Sequence, residues 1–198
     1  MLKLVGLIQQ PGIITPTYVE RMMQIAYNTK LNSGCISRQV GAVVTDSHFS
    51  VKGIGWNDVP FGQTPCSSRD LRDLNRGIDN GFSKFELGET NHEYINKKKF
   101  NELIKLDFQK SATDLDKKLK GRSCSFCFKS FHNTYENKEN QVHTRSLHAE
   151  ENAMLQITKY GGQPLEGGNL FTTASPCELC SKKAFQLGIK NILRKMID

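Results

Sequence analysis

The stretch LHAEENAMLQITKY, Leu147–Tyr160, decides how the rest of the chain is read. Its apolar residues Ala149, Ala153, Leu155 and Ile157 fall at helical intervals, and Gly161-Gly162 stops the pattern. His148, Glu150 and Glu151 crowd the start of this helix. Acidic residues there complement the positive end of the helix dipole. That accounts for Glu151, but a histidine two residues from a carboxylate needs a chemical reason.

Working outward, Thr17–Asn32 reads as a helix, with Val19, Met22, Met23, Ala26 and Tyr27 on one face and Thr17 as its cap. Val40–Thr45 is a short apolar run that suits a buried strand. Phe49–Trp56 is a second strand, and Asp46-Ser47-His48 suits the hairpin turn between them. After the decisive helix come a strand at Asn169–Thr173, a helix at Glu178–Leu187 ended by Gly188, and a last strand at Ile189–Leu193. Helix-strand-strand followed by helix-strand-helix-strand predicts an α/β fold, a three-layer α/β/α sandwich around a mixed sheet.

Between about residues 60 and 145 the periodicity fades, apart from a helical stretch at Asn101–Gln109. Charge clusters such as Lys97-Lys98-Lys99 sit among glycines and asparagines. The region reads as an apolar-poor insertion into one domain that spans residues 1–198.

The formal charge is +7 over 198 residues. Such a balance favours an anionic partner, whether nucleotide, nucleic acid or phosphate-bearing metabolite. No apolar run reaches membrane-spanning length, and Leu2–Ile8 followed by Gln9-Gln10-Pro11-Gly12 does not form a cleavable leader. A cytoplasmic protein without membrane contact is expected. Six cysteines that include two C-x-x-C pairs, in a chain without a secretory signal, point to metal rather than disulfides. No G-x-x-x-x-G-K-[ST] loop is present, so ATP hydrolysis has no support.

Ser175-Pro176-Cys177-Glu178-Leu179-Cys180 places two sulfurs one turn apart at a helix start, with Pro176 suited to the first turn. The dipole there favours thiolates. Two sulfurs do not complete a tetrahedral site, and His148 is the best third ligand. One imidazole and two thiolates around Zn²⁺ sum to zero charge and leave an open position for water. A bound water with a pKa near ~7 supplies a nucleophile at neutral pH. Glu150, beside the ligand but not coordinating, can then take and return a proton as general base and general acid. A rival pairing joins Cys124-x-x-Cys127 to Cys177-x-x-Cys180 as one zinc ribbon. It has a long interval between the pairs and leaves His148 and Glu150 without a role.

H-A-E at His148–Glu150 followed by P-C-x-x-C at Pro176–Cys180 resembles the signature of zinc-dependent nucleobase deaminases, and the resemblance runs from Thr17 to Leu193. GCISRQVGAVV (Gly34–Val44), GWNDVP (Gly55–Pro60) and HAEENA (His148–Ala153) are most similar to the deoxycytidylate deaminases. Gly34–Val44, Gly55–Pro60 and GQTPC (Gly62–Cys66) look most like the deaminase part of bacterial anti-phage dCTP deaminases. That group carries a kinase-like nucleotide-binding domain upstream, which is not among these residues.

The resemblance implies a cytidine deaminase-like fold and hydrolytic deamination of dCTP or dCMP, or both, to the deoxyuridine form, with anti-phage depletion of dCTP as the biological role. It implies Asn57 on the deoxyribose, Ala149 and Ser175 along the base edge, and a homo-oligomer. Arg38 is a candidate phosphate contact or a plain surface arginine. The resemblance also implies a second, structural zinc held by Cys35, Cys66, Cys124 and Cys127, with His132 or His143 as substitutes. Such an ion would pin the insertion to the domain. Two other functions compete. A polynucleotide deaminase acting on a flipped base would need aromatic stacking platforms, which are sparse here. A zinc-stabilised binding module without catalysis would leave Glu150 dispensable.

Overall fold

The computed structural model describes residues 2–10, 12–78, 81–111, 115–139, 143–159 and 161–194. In chain order the elements are α1 (Leu2–Gln9), α2 (Tyr18–Thr29), β1 (Gly41–Thr45), β2 (Val51–Trp56), α3 (Leu71–Arg76), α4 (Phe100–Ser111), α5 (Leu115–Leu119), α6 (Phe128–Glu136), α7 (Ala149–Lys159), β3 (Asn169–Thr172), α8 (Glu178–Gln186) and β4 (Asn191–Arg194). They fall into two compact units. The first comprises Met1–Ser33, Val40–Trp56 and His148–Asp198, and the second comprises Gly34–Gln39 and Asn57–Leu147.

The first unit holds a four-stranded mixed sheet in the order β2-β1-β3-β4. β1 pairs antiparallel with β2 and β3, while β3 and β4 are parallel, with α8 in the crossover a parallel pair requires. Side chains on a strand alternate between faces, and the two faces are covered separately. Val43 and Phe171 pack against Met22 and Ala26 of α2. Ala42, Val44 and Leu170 pack against Ala149, Ala153, Met154 and Ile157 of α7 and Ala184 of α8. The result is the expected α/β/α sandwich. A reciprocal capping box starts α2: the Thr17 N–H donates to Glu20 Oε2 at 2.7 Å and the Glu20 N–H to Thr17 Oγ1 at 3.3 Å. The hairpin turn closes on Asp46, whose Oδ1 accepts from the N–H groups of His48 and Ser50, each at 2.9 Å.

Boundaries shift by a few residues from expectation. α2 gives way at Lys30–Asn32 to a 3₁₀ turn, and the last strand begins at Asn191. In α7, Met154 is buried and Leu155 is exposed, the reverse of the apolar face read from spacing. Tyr160 lies outside the described residues.

The second unit corrects the reading of an apolar-poor insertion. Leu71, Leu74, Phe82, Tyr94, Phe100, Leu103, Ile104 and Phe126 form a core of their own, flanked by Phe85, Phe108, Phe128, Phe131 and Tyr135. The core is built from aromatic rings at irregular spacing, which periodicity does not detect. Inside it, Arg69 is fully buried, pairs with Glu86, and sits over the rings of Phe82 and Phe126 at 4.8 and 4.7 Å.

Candidate metal centre

Two close backbone approaches fix the helix that carries His148 and Glu150. A Cβ on Gly55 would fall 2.3 Å from the Ala153 nitrogen and 2.4 Å from the Ala149 oxygen, and one on Gly53 would fall 2.4 Å from the Ala153 oxygen. α7 therefore rests on bare β2 backbone, which no larger residue permits. The Asn152 side chain donates to the Trp56 carbonyl at 2.8 Å and its N–H to the His148 carbonyl at 2.9 Å. His148 thus stands just ahead of the first residue of α7. Its predecessor Leu147 donates its N–H to the Asp58 carbonyl at 2.9 Å.

The second half of the site comes from the turn between β3 and α8. Cys177 is the N-cap of α8, with its sulfur accepting from the Cys180 N–H at 3.4 Å. Pro176 precedes this cap instead of occupying the first turn. Cys177 is extended, so the helix begins at Glu178, the start expected from the sequence, two residues after the proline.

His148, Cys177 and Cys180 offer ligand atoms that all lie within 4.8 Å of one another. His148 Nδ1 lies 3.3 Å from the Cys177 sulfur and 3.5 Å from the Cys180 sulfur. Tetrahedral zinc with ordinary Zn–S and Zn–N bonds separates nitrogen from sulfur by about 3.6 Å. The donor set therefore fits zinc in both chemistry and spacing, through Nδ1. Cys180 is buried, and burial pushes its thiol well above the usual range, with the Glu150 carboxylate adding to the effect. A divalent cation offsets both by favouring the thiolate.

Glu150 is buried in the first turn of α7, and its Oε1 accepts a hydrogen bond from the Thr172 hydroxyl at 3.1 Å. Thr172 escaped the sequence reading. The signal was available, because β3 alternation puts Thr172 on the same face as Leu170, towards α7. Glu151 complements the dipole as expected and also pairs with Lys183 of α8. Ser175 is exposed, and its hydroxyl accepts from Arg194 at the end of β4, another contact the sequence did not suggest.

Of the remaining predicted residues, Ala149 is fully buried in α7. In the second unit, Asn57 is buried and its side chain donates to the Arg38 carbonyl at 2.6 Å, while the Arg38 side chain is exposed. Among the described residues, His148, Cys177 and Cys180 are the only such group of three or more metal-ligating side chains. Cys35, Cys66, Cys124 and Cys127 all lie in the second unit without forming one. His132, offered as a substitute ligand, is bonded through Nδ1 to the Tyr94 hydroxyl at 2.7 Å, and its ring lies 4.4 Å from that of His143.

No helix among the described residues is long and apolar enough to cross a membrane. Residues 124–196 match the family described as the cytidine and deoxycytidylate deaminase zinc-binding region. Over 48 residues the chain is 44% identical to ComE operon protein 2 of Bacillus subtilis (strain 168), a match covering 24% of this chain and 25% of that protein. Over 172 residues it is 27% identical to the deoxycytidylate deaminase of Enterobacteria phage T4, covering 87% of this chain and 74% of the phage protein. A crystal structure of dCMP deaminase from the cyanophage S-TIM5 aligns with 92% of this chain and 85% of its own, at 21% identity and a TM-score of 0.48. The matched region, residues 124–196, encloses His148, Cys177 and Cys180, whose ligand atoms all lie within 4.8 Å of one another.

Proposed function

We propose that the protein hydrolyses the exocyclic amine of a deoxycytidine nucleotide, dCMP or dCTP or both, to give the deoxyuridine form and ammonia. One observation carries this reading: a buried carboxylate, Glu150, two residues from His148 and on the helix whose start meets Cys177 and Cys180. Zinc held by these three residues would supply a Lewis acid that lowers the pKa of water and polarises it for attack. Glu150 accepts the proton that water loses and delivers it to N3 of the base, then takes the proton of the new C4 hydroxyl and passes it to the amine as the C4–N bond breaks and the carbonyl forms. Its burial keeps bulk water from competing for that proton.

In this reading the Ala149 backbone and Ser175 border the base edge, Asn57 addresses the deoxyribose, and the exposed guanidinium of Arg38 is available to phosphate. The +7 charge supports an anionic substrate. The phage T4 relative bears the name deoxycytidylate deaminase, which supports the monophosphate. The likeness of Gly34–Cys66 to anti-phage enzymes supports the triphosphate and a role in draining the dCTP pool. We take the chain as one cytoplasmic deaminase domain with an insertion at about 60–145, acting as a homo-oligomer. The exposed Leu179 and Phe185 on α8 are in keeping with a subunit contact.

A second, structural zinc at Cys35, Cys66, Cys124 and Cys127 is part of the proposal. Backbone bonds draw three of their chain segments together: the Ser67 N–H donates to Gly34 at 3.0 Å and the Leu71 N–H to Cys124 at 2.9 Å. The Ser125 hydroxyl donates to the Ser67 carbonyl at 2.9 Å.

Product analysis after separate incubation with dCMP, dCTP and deoxycytidine tests the reaction. Uracil product from a nucleotide, abolished in Glu150→Ala with zinc retained, is expected. No product from any of the three with zinc bound refutes the reading. Two zinc ions per chain are expected by metal analysis, and one per chain removes the structural site.

A further inference from the structure

Thr172 is fully buried at the end of β3, and its hydroxyl donates to Glu150 Oε1 at 3.1 Å. The same oxygen accepts from the Ala174 N–H at 3.5 Å, a contact that directs the hydroxyl proton towards the carboxylate. Among the described residues this hydroxyl is the one hydrogen-bond donor on the Glu150 carboxylate. Thr172 sits opposite Ala42 in the β1–β3 ladder, so its backbone is fixed by the centre of the sheet. A β-branched side chain on a strand is stiff at χ1, and the hydroxyl is therefore held in place. The chain runs on from Thr172 through Ala174 to the cap residue Cys177, so one short segment carries both the hydroxyl and a sulfur of the metal centre.

A buried carboxylate with one oxygen tied has little rotational freedom. Glutamate has three side-chain torsions, and those would otherwise let the proton carrier swing away from the reacting atoms. A valine at 172 would fill nearly the same volume, so packing alone does not call for the hydroxyl.

We propose that Thr172 is a positioning residue: by holding Glu150 Oε1, it aims Oε2 at the space in front of His148, Cys177 and Cys180, where the base must enter. The proposal rests on the deaminase reading given above, in which Glu150 carries the proton. Thr172→Val is expected to lower kcat about 10- to 100-fold, the range for loss of a hydrogen bond to a charged group, with KM changed less than about threefold. Thr172→Ser restores the donor and most of kcat. Zinc content stays near wild type in both variants, and Thr172→Val melts somewhat lower, by the cost of one lost buried hydrogen bond.

Crystal structures of the zinc-loaded wild type and Thr172→Val supply a readout that does not depend on turnover, with the Glu150 carboxylate expected to leave its wild-type position in the variant. An unchanged kcat, an unmoved Glu150 side chain, or loss of zinc in Thr172→Val overturns the proposal. Failure of the wild type to deaminate any cytosine nucleotide refutes the reaction instead, and the crystallographic comparison then decides the Thr172 contact by itself.

Discussion

Removing the charge of Glu86 should unfold the second unit at much lower denaturant. Glu86 is 1% exposed and Arg69 is 0% exposed, so neither charge has water to fall back on. Glu86 accepts from Arg69 through Oε1, and from the Ser83 N–H at 2.8 Å and the Ser83 hydroxyl at 2.9 Å through Oε2. Glu86→Gln keeps the shape but turns one end of the group into a donor, which meets the donors of either Ser83 or Arg69. The guanidinium is then left uncompensated, because its Nε and Nη1 have no hydrogen-bond acceptor. The rings of Phe82 and Phe126 flank it before and after the change, so their cation–π attraction does not offset the loss.

Breaking a buried pair by removing one partner costs about 3–5 kcal/mol. With a urea dependence of about 1–3 kcal/mol per molar, the midpoint should fall by at least ~1 M. The assay is urea unfolding read by hydrogen exchange at α4 and α6, with fluorescence of Trp56 reporting the first unit separately. A fall under about 1 kcal/mol would refute the reasoning, since it would mean that water or another acceptor reaches Arg69. The double variant Arg69→Met with Glu86→Leu should recover much of the loss, because two apolar side chains leave no stranded charge.

Other perturbations give distinct expectations. Gly55→Ala should displace α7 and cost about 1–3 kcal/mol or more, with fewer zinc ions bound per chain, as read by melting and metal analysis. Asp46 is held down to about 2 by the Ser50 N–H, with the His48 N–H and Lys52 assisting. Its folded value lies below the ordinary 3.8, so its stabilisation is complete above about pH 4 and is lost as pH falls towards 2. Asp46→Asn should flatten the acid limb of stability in that window, and an unchanged limb would contradict the assignment. Lys183→Ala removes an exposed ion pair with Glu151 and should change stability by under about 1 kcal/mol in chemical denaturation. Chelation of zinc should abolish turnover, and added zinc should restore it.

The metal centre was legible because its chemistry is written locally. His148 and Glu150 lie two residues apart across the start of α7, and Cys177 and Cys180 lie three apart across the start of α8, so each pair is set by local geometry at a helix start. The sheet was legible for a similar reason: GAVVT at Gly41–Thr45 is buried throughout, and the helices on either side carry clear apolar faces. The second unit was not legible. Its core draws on Phe82, Tyr94, Phe100 and Phe126, from turns and short helices that share no period. A buried arginine in such a core reads as a surface charge until Glu86, seventeen residues on, is seen beside it. Thr172 was missed because a strand threonine has an ordinary explanation in β propensity, and only its register with Leu170 gives it away.

The placement of the side chains at the metal centre follows from what two helix starts can do together. α7 and α8 both begin at the metal centre, one with His148 just ahead of it and the other with Cys177 as its cap. Free N–H groups and the dipole at each start favour negative charge, which suits the thiolates and the Glu150 carboxylate. Burial works the other way, as the raised Cys180 thiol shows. A divalent cation held by His148, Cys177 and Cys180 would be balanced by the two thiolates, while the Glu150 side chain beside them is met by the Thr172 hydroxyl. The bare backbone of Gly53 and Gly55 makes the arrangement possible, because any side chain there would push α7, and His148 and Glu150 with it, off the sheet.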